Sequence, residues 1–256
     1  MMVEFFWEKE ILGFDERRDL IIPGNHEQTL DFCTEHFITL AEHAIQTKGF
    51  FNVALSGGST PGALFKRLAK PENRPRVKWE NVRLFWSDER SVPPSNPESN
   101  YHMAMESGFK VLPLKVEHIF RMHAEDHIEQ NALAYENLIL KYVPNHALDL
   151  VMLGMGEDGH TASLFPKTHA LHAPERLVVA NFVPQKNTWR MTFTFECINA
   201  ASAIVIYVLG KGKKEMLKHV LTAPYDPDNL PAQRIGVPAH KALWIADNEA
   251  LPEYPF

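Results

Sequence analysis

Cysteine is scarce: Cys33 and Cys197 are the only two in 256 residues. They lie far apart in apolar surroundings, so the pattern argues against a disulfide framework and predicts two buried thiols. Long apolar runs are missing too, since none approaches the roughly 18 residues of a membrane span. The acidic opening MMVEFFWEKEILGFDERRD lacks the apolar stretch of a secretory signal, and a cytoplasmic location is expected. There is no basic excess: the formal net charge is −6, which argues against nucleic-acid or anionic-membrane partners. An anionic ligand would therefore need a local basic cluster set against the global charge. Repeats, low-complexity tracts and linkers are also absent, and the length suits one α/β domain spanning residues 1–256.

What is present is an alternation of short apolar runs and helical patterns. Asn25 is placed to cap a helix whose apolar face is Leu30, Cys33, Phe37, Leu40, Ala41 and Ala44. FNVAL (51–55) leads into SGGSTP, and VRLFW (82–86) into SDERSVPPSNPESNY. An amphipathic helix is expected over Glu125–Val143, followed by LDLVML, RLVVA, RMTFTF, AIVIYVL and ALWIA. This order predicts a single α/β domain with a mostly parallel, doubly wound sheet covered by helices on both faces. In such sheets ligands gather outside the carboxyl ends of the strands. Four loops at strand exits, SGGSTP, SDER, GEDGH and GKGKK, are thereby expected to converge.

Each loop carries its own chemistry. Gly57, Gly58, Ser59 and Thr60 precede a helix with Pro61 in its first turn, where the missing N–H costs nothing. Glycines admit an anion close to the backbone, and a helix start offers free N–H groups. No Lys follows the last glycine, so this is not a Walker A loop. Asp88 and Arg90 follow a buried run and are candidate ligand contacts, Arg90 through its forked donors. Lys213, after Gly210, lies at a helix start where a cation opposes the helix dipole; an anionic ligand would offset that cost. Arg190 is a second candidate cation.

The stretch LGMGEDGHTASLFP contains G-x-G-x-x-G at Gly154, Gly156 and Gly159, the pattern of a dinucleotide loop. Three features oppose that reading. Glu157 and Asp158 would meet a pyrophosphate with like charge, Pro166 cuts short the helix that should follow, and the next run ends without an acidic residue. The loop suits a general base instead. Histidine has an ordinary pKa of about 6.5 and is part neutral yet basic near pH 7. Asp158, two residues before His160, is placed to steer it or to hold a position nearby, and Asp88 is the other candidate for orienting it. His169/His172 and His123/His127 lack the accompanying H-E-x-x-H or Cys pair, so no metal is expected.

LSGGSTP, WSDERSVPPSNPESNY, LGMGEDGHTASLFP, RMTFTF, LGKGKKEML and PAQRIGVPAHKALWIAD, in this order, resemble the 6-phosphogluconolactonase family over roughly residues 50–247. The resemblance implies a small sugar-phosphate lactone as substrate, 6-phospho-D-glucono-1,5-lactone, and no organic cofactor or metal. It also implies His160 as general base, and Ser59, Arg190 and Lys213 at positions associated with the phosphate. Lys211 and Lys214 enlarge the usual basic loop. A monomer or weak homo-oligomer is expected. The rivals are a sugar-phosphate isomerase or deaminase on the same scaffold, with a carboxylate such as Asp88 as base, and a sugar-phosphate sensor without turnover.

Overall fold

The computed structural model describes Phe5 and residues 7–252. The Asn25 side chain accepts from the Gln28 amide, and Gln28 accepts from the Asn25 amide in return. This capping box starts helix α1 (His26–Lys48), whose buried face includes Leu30, Cys33, Phe37, Ala41 and Ala44, as the spacing predicts. Gly49, at φ +83°, closes the helix in a conformation that suits glycine. The further helices are α2 (Ser59–Leu68), α3 (Asn100–Ser107), α4 (Ile128–Tyr142), α5 (Phe195–Asn199) and α6 (Lys214–Thr222). Cys33 on α1 and Cys197 on α5 are free and fully buried, and burial pushes both thiols up.

The strands, in chain order, are β1 (Leu12–Gly13), β2 (Arg18–Ile21), β3 (Phe51–Leu55), β4 (Val82–Trp86), β5 (Asp88–Arg90), β6 (Leu150–Gly154), β7 (Val178–Val183), β8 (Thr188–Phe193), β9 (Ile204–Val208) and β10 (Ala242–Ala246). Seven of them form one sheet in the order β1-β2-β10-β9-β6-β3-β4, parallel except for β1. Every residue of β3, β9 and β10 is buried, as expected of strands covered on both faces. The chain leaves β3 toward β4 on one side, while β6 pairs with β3 on the other. Strand order reverses there, so a crevice opens beyond the carboxyl ends of β3 and β6.

One expectation needs correcting. RLVVA and RMTFTF do not join the parallel sheet; β7 and β8 pair antiparallel with each other, and β8 with β5, in a second sheet ordered β5-β8-β7. The cause is connection length. Only Pro184–Lys186 and Asn187 separate β7 from β8, whereas a parallel crossover needs about a dozen residues or more. Ser87 is the seam between the sheets: its amide donates to Leu55 O on β3, and its carbonyl accepts from Phe193 N on β8. Buried apolar side chains of both sheets belong to one contiguous core.

The small sheet is locked to α4 by a buried carboxylate. Glu136 accepts from the Leu177 amide at 2.6 Å, the Val178 amide at 3.1 Å and Arg176 Nε at 3.1 Å. Glu136→Ala would strand those donors, and a loss of about 2–4 kcal/mol is expected. Urea denaturation checks this; an unchanged midpoint would show that the carboxylate does not secure the sheet.

Candidate active site

At the exit of β6 the chain makes a tight turn. The Gly156 amide donates to His160 O at 2.8 Å, and Gly159 follows at φ +78°. Thr161 Oγ1 donates to Gly154 O at 2.8 Å, which ties the far side of the turn to the strand. The residues after Gly159 form turns and a short bridge between Thr161 and Leu164, not the helix a dinucleotide loop requires. His160 Nδ1 lies 2.5 Å from Asp158 Oδ1, and its ring stacks on Phe165 at 3.9 Å between centroids and 18° between planes. A Cβ on Gly156 would overlap the imidazole, so only glycine leaves room for the ring. Burial pushes the Asp158 carboxyl up, but hydrogen bonds from the His160 ring and amide, with the ring's charge, outweigh it and hold it below the usual range. An ionised carboxylate only accepts, so Nδ1 carries a proton, and in the neutral imidazole Nε2 is the nitrogen with the lone pair. Nε2 makes no hydrogen bond among the described residues.

The exit of β3 lies beside that of β6 because the two strands are hydrogen-bonded neighbours. Gly58, at φ +106°, turns the chain into α2 and has no side chain with which to cap it, leaving the first-turn amides around Ser59 and Thr60 uncapped by side chains. Gly57 faces Asn100 so closely that any Cβ would overlap its carboxamide. Asn100 Nδ2 donates to Asp88 O at 2.9 Å and Asp88 Oδ1 at 3.1 Å. The other Asp88 oxygen accepts from Ser163 Oγ at 2.6 Å, three residues beyond His160. One continuous set of contacts thus joins SGGST, SDER and the histidine loop, and Asp88 is its buried centre.

Sequence reasoning named Asp88 and Arg90 but missed the residue between them. Glu89 is buried and accepts from Arg90 N, Ser99 Oγ, Asn100 N and Tyr101 N, at 2.7–3.0 Å. Burial pushes its carboxyl up, and these four donors only partly offset that. By holding the start of α3 it fixes Asn100 against Gly57. Nothing in the local string distinguishes it; only the ten-residue loop that returns to it reveals the role. Phe165 was also missed as a platform, although it sits inside the SLFP end of the motif.

Arg90 and Arg190 are direct partners across β5 and β8. Burial, then the neighbouring Arg90, pushes the Arg190 guanidinium down; Asp88, Glu98 and Glu89 pull the other way. Neither Nε has a hydrogen-bond partner among the described residues, although both atoms are buried. Like charges opposite one another on paired strands are unfavourable, and an anion between them would offset that cost. A cavity of about 470 Å³ beside Arg90 is lined by Gly58, Ser59, Lys66 and Asn100, among others. A larger one, of about 570 Å³, lies at the amino ends of the strands against Trp7, His36 and Lys241 and touches none of the four loops. Position at the strand exits, not size, marks the site. Lys213, the expected phosphate contact, donates from Nζ to Met155 O at 2.8 Å, directly on the histidine loop. No group of three or more His, Cys, Asp or Glu among the described residues is arranged to hold a metal.

The chain as a whole is similar to known proteins. The chain is 39% identical over 241 residues to the 6-phosphogluconolactonase of Chlamydia trachomatis serovar D, covering 94% of this chain and 92% of that one. The crystal structure of 6-phosphogluconolactonase from Thermotoga maritima superposes with a TM-score of 0.77 at 26% identity, over 91% and 99% of the two chains. A monomeric glucosamine-6-phosphate deaminase shares the fold at a TM-score of 0.76 and 18% identity, over 90% and 98%. Residues 24–244 match the model of glucosamine-6-phosphate isomerases/6-phosphogluconolactonase. With nearly its whole described length matched, this chain belongs to the glucosamine-6-phosphate isomerase/6-phosphogluconolactonase family.

Proposed function

We propose that the protein hydrolyses 6-phospho-D-glucono-1,5-lactone to 6-phospho-D-gluconate, with His160 as the general base. The observation that carries this reading is the imidazole itself. Asp158 holds its Nδ1, Phe165 holds its plane, and Nε2 makes no hydrogen bond among the described residues, on a loop tied through Ser163 and Asp88 to the strand that carries Arg90. Nε2 takes a proton from water as the water oxygen attacks the lactone carbonyl. The negative charge of Asp158 stabilises the imidazolium that results. The same Nε2–H then protonates the ring oxygen as its bond to the carbonyl carbon breaks, and the open acid is released. A positioned base of this kind contributes about 10²–10⁴-fold.

The distant phosphate supplies orientation. Arg190 and Arg90, with the uncapped start of α2 at Gly57–Thr60, form the cationic grip on the phosphate, and binding energy spent there fixes the carbonyl at His160. Lys213 adds a cation one hydrogen bond from the histidine loop. A deaminase or isomerase would need a carboxylate free to abstract a carbon-bound proton. Asp88 is poorly suited to that, since Asn100 and Ser163 each engage one of its oxygens. No helix among the described residues is long and apolar enough to cross a membrane, in keeping with a small polar substrate.

A coupled assay with freshly generated lactone, run beside glucosamine 6-phosphate with ammonia detection, tests the assignment. Fast lactone loss without ammonia is expected, and the reverse would transfer the protein to the deaminase reading. Asp158→Asn should lower kcat by roughly 10²-fold. Near-parental kcat would separate Asp158 from the base. Arg190→Ala should raise KM about 10–100-fold for the phosphorylated lactone and leave unphosphorylated gluconolactone nearly unaffected; equal effects on both would remove Arg190 from the phosphate grip. Gly156→Ala, by pushing the imidazole aside, should cost kcat about 10²-fold while product binding, followed by calorimetry, persists.

A further inference from the structure

Asp247 lies immediately beyond β10, has no solvent exposure, and is absent from the mechanism described above. Its two oxygens accept from the Gly210 amide, each at 3.0 Å, and Oδ1 also accepts from the Ala250 amide at 2.9 Å. His26 Nδ1, on the first residue of α1, stands 3.3 Å from Oδ2. A buried carboxylate with no Lys or Arg partner is costly, so its position is set by what it holds. The atom it holds most directly is the amide of Gly210, the residue that turns the chain out of β9 at φ +91°.

From Gly210 the contacts run to the catalytic loop. Gly210 O accepts from the Lys213 amide at 3.0 Å, closing one turn of 3₁₀ helix over Lys211–Lys213. That turn aims the Lys213 side chain at Met155 O, at 2.8 Å. Met155 precedes Gly156, whose amide bonds His160 O. We infer that Asp247 is a positioning residue for this active site, setting the Gly210 turn from which Lys213 braces the histidine loop. The inference rests on the lactonase reading for its kinetic consequence, but not for its structural one.

Asp247→Asn replaces one of the two accepting oxygens with an NH₂ donor facing an amide N–H. In the full-length protein without substrate, amide hydrogen exchange should quicken about tenfold across residues 210–213 and 155–160 together, and Lys213→Ala should reproduce the effect at 155–160 alone. The kinetic arm is a double-mutant cycle. Asp247→Asn should lower kcat/KM for the phosphorylated lactone about 10–50-fold in the parent, but less than about 2-fold when Lys213 is already alanine. Full additivity of the two losses, or exchange that rises at 210–213 but not at 155–160, overturns the proposal. If Asp247→Asn yields no folded protein, Gly210→Ala carries both arms. Its Cβ meets open space and strains only the turn, so the same outcomes decide. A parent enzyme without lactone turnover would sink the lactonase reading and leave the exchange arm to judge Asp247.

Discussion

The hydrogen bond between Asp158 and His160 Nδ1 is the contact on which the rest of the site depends. It decides which imidazole nitrogen is free, and it places a negative charge beside the ring that becomes an imidazolium in the proposed mechanism. The surrounding backbone is shaped to permit it: Gly156 leaves room under the ring, Gly159 turns the chain at positive φ, and Thr161 ties the turn back to β6. Ala162 also adopts a positive φ of 48°, unusual without glycine, between Thr161 and the Ser163 that bonds Asp88. Strain at such a point is sustained when the neighbours on both sides are fixed.

The electrostatics follow the same economy. The chain is acidic overall, yet Arg90 and Arg190 meet across two short strands with their Nε atoms buried and unpartnered among the described residues. Carboxylates nearby do not neutralise them; Asp88 is occupied by Asn100 and Ser163, and Glu89 by the start of α3. The acidic residues of SDER thus build the frame, and in the proposed reading the arginine is left to meet the ligand. This division explains how a protein of net negative charge can present a local anion site.

Much of this was legible in the residues. The parallel sheet followed from apolar runs separated by helical patterns, and the convergence of SGGST, SDER and GEDGH from their places at strand exits. The second sheet was not, because an apolar run such as RMTFTF has the same local pattern whether its neighbour is parallel or antiparallel; the short link before it was the available clue. Glu89, Asn100 and Asp247 escaped for a related reason. Each acts through buried hydrogen bonds to partners distant in sequence, and nothing in a single-residue neighbourhood announces such pairing. The charge of Lys213 and its place at a helix start point to a phosphate contact. Its bond to Met155 O depends on the β6–β9 pairing, which only the fold reveals.

The most direct test is to compare the parent with His160→Ala for lactone turnover and, separately, for calorimetric binding of 6-phosphogluconate. If one imidazole activates water while a separate cationic grip holds the phosphate, turnover should fall by about two to four orders of magnitude with product affinity nearly unchanged. Near-parental turnover in the variant would contradict the account.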